Sequence, residues 1–239
     1  LMLFSFVVAV LLFYFFLYFS KNKLSALCFS YVNMAWLGFP FAIALFGTKI
    51  SPAMVALYIG GSIFGNLWAV TAVSQTPLAF SFILKKVLCA PPMIALILAL
   101  ILRSVGVQHW SQHDLIDVIY SAAKFGMSFS GMCVLGMWLR HTKVEKADLW
   151  QSSQTALLKL ACGVVLCGLS YRYLAIPNIE QYIGVMFLLF CLPPAANIVA
   201  LETHYQGTGM SAKYIASGTI ISCAVVSIYG LLLHVFAVI

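Results

Sequence analysis

Residues 31–47 read YVNMAWLGFPFAIALFG, and residues 186–205 read MFLLFCLPPAANIVALETHY. Both stretches are strongly apolar, and both carry an asparagine close to proline: Asn33 ahead of Gly38 and Pro40, and Asn197 just after Pro193 and Pro194. Proline inside a helix removes a backbone donor, and its ring strikes the preceding turn. In hydrocarbon the carbonyl freed in this way must find a partner or face a water-lined cavity. One such break is an ordinary packing kink. Two of them, each followed by a short link and one further apolar run, predict a pair of discontinuous helices.

Outward from these stretches the chain stays apolar. Of its 239 residues, 63% are hydrophobic and 8% charged, and the mean hydropathy is +1.04. A soluble domain carries about 25% charged residues, so this chain could not cover its own surface with polar groups. Soluble globular, disordered, collagen-like and coiled-coil classes are excluded. The apolar runs are long and continuous rather than short and alternating, which excludes a β-barrel. A membrane-crossing helix needs about 20 residues. Eight runs approach that length: 1–20, 25–48, 52–73, 87–105, 115–139, 153–173, 180–203 and 212–238. The expected fold is therefore an all-α polytopic membrane protein. Residue 1 already lies inside an apolar run, which predicts a chain that starts in mid-helix with sequence missing upstream.

The net charge of +7 is spread between the runs, so the cations read as topology determinants rather than as a nucleic-acid surface. Lys21, Lys23, Lys85, Lys86, Arg140, Lys143, Lys146 and Lys213 fall on one side; Lys49, Arg103 and Arg172 fall on the other. The richer side is assigned to the cytoplasm, which places the C-terminus outside. On this count the second run enters from the cytoplasm and the seventh from outside. A broken segment that recurs in opposite orientations is the pattern of an inverted-repeat secondary transporter, with its site where the breaks cross. The seven cysteines form no CxxC pair and read as small buried residues.

At these residues the chain resembles the auxin efflux carrier family, which includes PIN-type carriers and bacterial organic-acid permeases. Asn33-x4-Gly38-x-Pro40 is similar to that family's first crossover motif. Pro193-Pro194-Ala-Ala-Asn197, running on to Glu202-x-x-Tyr205, is similar to the second, with Leu201 where alanine is usual. Weaker echoes are Lys85-Lys86 before Ala90-Pro91-Pro92, Gly136-x-x-Leu139 and Leu158-Lys159-Leu160; Phe129 stands where the family often has proline. The resemblance implies a ten-helix inverted-repeat fold with two broken crossover helices, of which the first two helices are missing here. It implies transport-domain helices at 1–73 and 152–239 and scaffold helices at 74–151. It further implies elevator-type movement of a small organic anion and a homodimer, while the short link at Ser74–Lys86, in place of the long cytoplasmic loop of long PIN carriers, points to a bacterial inner membrane. No cofactor, resident metal or enzymatic activity is expected.

An organic carboxylate crossing the bilayer needs hydrogen-bond donors. Discontinuous helices supply backbone N–H groups at a positive dipole end, and an asparagine amide adds two more N–H groups without a permanent charge. Asn33, Gly38, Pro40, Pro194 and Asn197 form the expected substrate-binding set; for the asparagines, hydrogen bonding between helices is the competing reading. Lys124 and Lys159 are cations within spans, and such residues are functional hypotheses by default. Lys159 lies near a span end, which favours snorkelling to the headgroups. Lys124 is open between a structural role and compensation of substrate or carboxylate charge. Glu202 is the acidic residue nearest a crossover and either takes up a coupling proton or caps an interface near Lys213. Proton and sodium coupling both stay open. Asn66 reads as a contact between helices. Two rival readings stand beside this one: a bile-acid and sodium-symporter-like carrier, and a zinc-dependent membrane enzyme built on His109, His113 and Asp117.

Overall fold

The computed structural model describes residues 1–69, 91–105, 114–140, 142–174, 176–206 and 210–236, with isolated positions at 72, 81, 85, 88 and 89. Every regular element among them is helical. In chain order these are α1 (Met2–Ser20), α2 (Lys23–Ser30), a wide π-helical turn (Met34–Gly38) leading into α3 (Phe39–Phe46), and a tight 3-10 turn (Thr48–Ile50) leading into α4 (Ser51–Phe64). A second π-helical turn (Gly65–Ala69) follows, then α5 (Pro91–Ser104), α6 (Asp114–Arg140), α7 (Lys146–Tyr173), α8 (Ile179–Cys191), α9 (Asn197–Gln206) and α10 (Ser211–Val235).

Four helical stretches among the described residues are long and apolar enough to cross a membrane: Met2–Ser20, Thr48–Ala69, Lys146–Tyr173 and Ser211–Val235. The runs at 25–48 and 180–203 are each divided. Their pieces Met34–Phe46 and Ile179–Cys191 are apolar but shorter, as is Met93–Ser104 of α5.

Local chemistry explains both divisions. Asn22 starts α2 by accepting hydrogen bonds from the Leu24 and Ser25 N–H groups at 2.9 and 3.1 Å, and the helix ends where Tyr31 becomes extended. Helical geometry resumes at Met34 with i→i+5 bonds: Gly38 N–H donates to the Asn33 carbonyl at 3.0 Å, and Phe39 N–H to that of Met34. Pro40 then sits in the first turn of α3, where a missing N–H is tolerated. A wide turn directly ahead of a proline gives its ring room against the preceding carbonyls. At the other division, Leu192 is extended at φ −79°, ψ 148°, as a residue before proline prefers.

Packing falls into two triplets. In the first, α1 lies against α2 and α4. Phe4, Val8 and Leu12 of α1 face inward, while Leu3, Leu11 and Tyr18 are exposed. The approach to α4 is close enough that a Cβ built on Gly60 would stand 2.1 Å from the Met2 carbonyl oxygen; a backbone cannot retreat as a side chain can, so glycine is required there. In the second triplet, α7 lies against α8 and α10, and the hydroxyls of Ser152 and Ser217 meet at 2.7 Å. Helices α5 and α6 carry large exposed apolar side chains, including Ile97, Ile101, Phe125 and Phe129. α5 touches α4, and α6 touches the first π turn and α10.

Candidate functional site

The two divided segments cross. Val32 and Pro194 form an antiparallel bridge. Asn33 N–H donates to the Pro193 carbonyl, and Ala195 N–H to that of Tyr31, both at 2.9 Å. Each break thereby supplies partners for backbone groups that the other leaves outside a helix, the condition that irregular backbone must meet away from water. Four helix ends converge here. α2 and α8 bring carbonyl ends with partial negative charge, while the first π turn and α9 bring N–H ends with partial positive charge.

A cavity of about 110 Å³ lies at the N–H ends, and Asn33 and Asn197 both line it together with Tyr31, Trp36, Tyr58 and Ser62. Asn33 is 4% exposed. Its Oδ1 accepts the Trp36 N–H at 3.3 Å, which caps the wide turn. Its Nδ2 is buried without a hydrogen-bond partner among the described residues. An orphaned buried donor costs about 1–3 kcal/mol, so this atom calls for an acceptor. Asn197 donates through Nδ2 to the Tyr31 hydroxyl at 3.0 Å, which uses one of that amide's two N–H groups. A water's share of liquid volume is about 30 Å³, so the space suits a carboxylate-sized group. Two amides and two helix N-terminal ends make this cavity rich in hydrogen-bond donors and free of charged side chains among its described lining residues.

A larger cavity, about 310 Å³, lies at the carbonyl ends and is lined by Lys159, Leu192, Pro193 and Pro194 among others. The snorkelling expectation for Lys159 does not hold. Its side chain is 5% exposed, and its ammonium donates to the Leu192 carbonyl at 3.0 Å, with the Phe29 ring centroid 5.8 Å away. The carbonyl at the end of α8, freed because prolines follow it, holds the amine inside.

The other expected residues have different places. Gly38 lines neither cavity. It packs between the breaks, where a Cβ would come within 2.9 Å of the Leu192 side chain. Pro40 also lines neither and shapes the start of α3. Glu202 is fully buried. Its carboxylate accepts the Met210 and Ser211 N–H groups, both at 2.7 Å, and a short hydrogen bond from the Ser211 hydroxyl. It caps α10. Lys124 is half-buried on α6 and is not among the residues lining either cavity. Asn66 bonds within its own helix rather than between helices, through Nδ2 to the Ser62 carbonyl at 2.8 Å.

Tyr31, Tyr58 and Ser62 are site residues that sequence reasoning misses. Tyr31 carries a usable signal, two positions before the capping asparagine. Its ring rests on Gly65, where a Cβ would come within 2.3 Å of Cζ. Of the zinc-enzyme set, His109 and His113 lie outside the described residues. Among the described residues no group of three His, Cys, Asp or Glu side chains could hold a metal ion. In comparisons with known proteins, no family model, no curated protein and no solved structure matches the chain.

Proposed function

We propose that the protein is a secondary transporter that moves a small organic anion across a membrane by alternating access, of the kind the auxin efflux carrier resemblance implies. The observation that carries this reading is the pairing of the two breaks through Val32 and Pro194, with Asn33 and Asn197 on one cavity at the adjoining helix N-termini. Crossed half-helices whose positive ends face an anion are the arrangement expected of such carriers.

The packing supports an inverted repeat. Each triplet has a full-length helix against a divided one and a second long helix. α1 reaches the larger cavity with Phe16 and its last residue, Ser20, whereas α7 reaches it from Gln151 near its start to Lys159 at its middle, which favours triplets of opposite direction. The α1–α2 link and the starts of α7 and α10 line that cavity through Asn22, Gln151 and Tyr214, and Lys21, Lys23, Lys146 and Lys213 lie close to these residues in the chain. By the positive-inside rule this end faces the cytoplasm. The exposed apolar faces of α5 and α6 meet lipid or a second copy of the chain, in the scaffold role that the resemblance assigns to 74–151.

Two measurements test the proposal. The purified protein in liposomes should accumulate a labelled small monocarboxylate, and should exchange it for unlabelled acid on the far side; a folded preparation that moves none of a panel of such acids would sink the transport reading. For orientation, a single cysteine placed at Phe236 on a cysteine-free background should react with an impermeant reagent added outside cells, and one placed at Lys143 should not. The reverse pattern would invert the topology.

A further inference from the structure

We propose that the 310 Å³ cavity behind the crossing is a second anion site, separate from the asparagine pair, which takes a small aromatic or aliphatic monocarboxylate with Lys159 as its counter-ion. Charge is the first reason. Lys159 is 5% exposed, and among the described residues no aspartate or glutamate lines the cavity. A buried cation is costly unless something pairs with it. The Leu192 carbonyl, 3.0 Å from Nζ, is its hydrogen-bond acceptor among the described residues. A helix C-terminus provides only about half a unit of negative charge, so positive charge remains. An ammonium has three N–H groups, and the Leu192 bond uses one.

Shape and surroundings define the ligand class. The lining mixes hydroxyl and amide groups (Ser25, Gln151, Thr155) with aromatic rings (Phe16, Phe29, Phe190). One charged point, a polar flank and an apolar flank suit an amphipathic anion with a single carboxylate. The volume is at the lower end of the small-molecule range, roughly 300–1,000 Å³, while the 110 Å³ space at the asparagines holds little beyond the carboxylate itself. Asn22 lines the cavity, and its neighbours Lys21 and Lys23 are exposed. Exposed cations at the mouth of a low-dielectric cleft raise the local anion concentration. The lysine and the larger volume distinguish this cavity from the smaller one, and the assignment is independent of the transport reading.

Benzoate, with neutral benzamide as its control, is the probe, and isothermal titration calorimetry on purified protein is the measurement. Benzoate should bind, and benzamide at least tenfold more weakly. In the Asn33→Ala, Asn197→Ala double variant, which disables the other cavity, one benzoate should still bind. Adding Lys159→Gln to that background should weaken it tenfold or more, because a hydrogen bond to a charged group is lost. Ala156→Phe fills the cavity while leaving the Lys159–Leu192 contact in place, and it should also weaken benzoate at least tenfold. Equal binding of benzoate and benzamide by the parent overturns the assignment without any variant. Unchanged benzoate affinity in Lys159→Gln, or in Ala156→Phe where the lysine variant does not fold, overturns it as well. Loss of all benzoate binding in the asparagine double variant places the only anion site at the crossing and overturns it too. Uptake by the parent decides the transport reading separately.

Discussion

Alanine at Asn33 or Asn197 should raise the organic-anion concentration needed for half-maximal uptake by roughly tenfold to a hundredfold. On the proposed reading each amide donates to the substrate carboxylate, and a hydrogen bond to a charged group is worth on the order of 1.5–3 kcal/mol; each 1.4 kcal/mol is about tenfold in affinity. The two positions differ in their side effects. Asn33 also caps the wide turn through Oδ1, so its alanine variant should lose about 0.5–2 kcal/mol of stability. Asn33→Asp separates the roles. Aspartate accepts the Trp36 N–H as well as asparagine does, but it replaces the unpartnered Nδ2 donor with an oxygen that repels an anion. It should therefore transport worse than Asn33→Ala in the folded protein, while burial of the new charge lowers its unfolding temperature. Asn197→Ala releases the Tyr31 hydroxyl at an exposed helix start and should be nearly neutral for folding. If both alanine variants are folded and take up the anion with parental half-saturation, the crossing asparagines do not contact it.

Glu202→Ala should be more destabilising than either asparagine substitution. The carboxylate is completely buried and satisfies the N–H groups of Met210 and Ser211 together with the Ser211 hydroxyl. Truncation leaves those donors at the start of α10 without this acceptor, in a place where Ser211 is itself fully buried. Each unsatisfied buried group costs about 1–3 kcal/mol, so the loss should be roughly 3–4 kcal/mol. Glu202→Gln should recover less than half of it, since its NH2 must face a donor. Thermal unfolding in detergent reads the effect. A coupling site with no structural role would behave in the opposite way: the glutamine variant would unfold normally and lose only proton-driven accumulation. That outcome would favour the coupling role, one of the two readings that its place beside a crossover leaves open.

Much of the architecture is legible in the chain. Apolar run length locates the long helices because hydrophobic burial and the need to pair every backbone group act on contiguous residues. The two breaks are legible because proline acts on its immediate neighbours: Pro40 with the wide turn before it, and Pro193 with the extended Leu192 before it. Asn33 is legible as a break residue for the same reason, since a capping side chain reaches only a few positions along.

Partners are not legible. Lys159 has a stem long enough either to reach the headgroups or to turn inward, and composition within its helix does not distinguish the two. The Leu192 carbonyl decides between them, and it lies on another helix. Glu202 stands near a crossover in sequence, but its bonds are to the start of α10. Asn66 reads as a link between helices and closes on its own Ser62. Where helices run and where they stop is therefore written locally, because those outcomes depend on covalent constraints over a few residues. Three-dimensional packing was needed to show that Val32 meets Pro194, that two amides share one small cavity and that a lysine closes the other side. Those contacts join segments far apart in the chain, and the packing of whole helices selects among partners that local chemistry leaves equivalent.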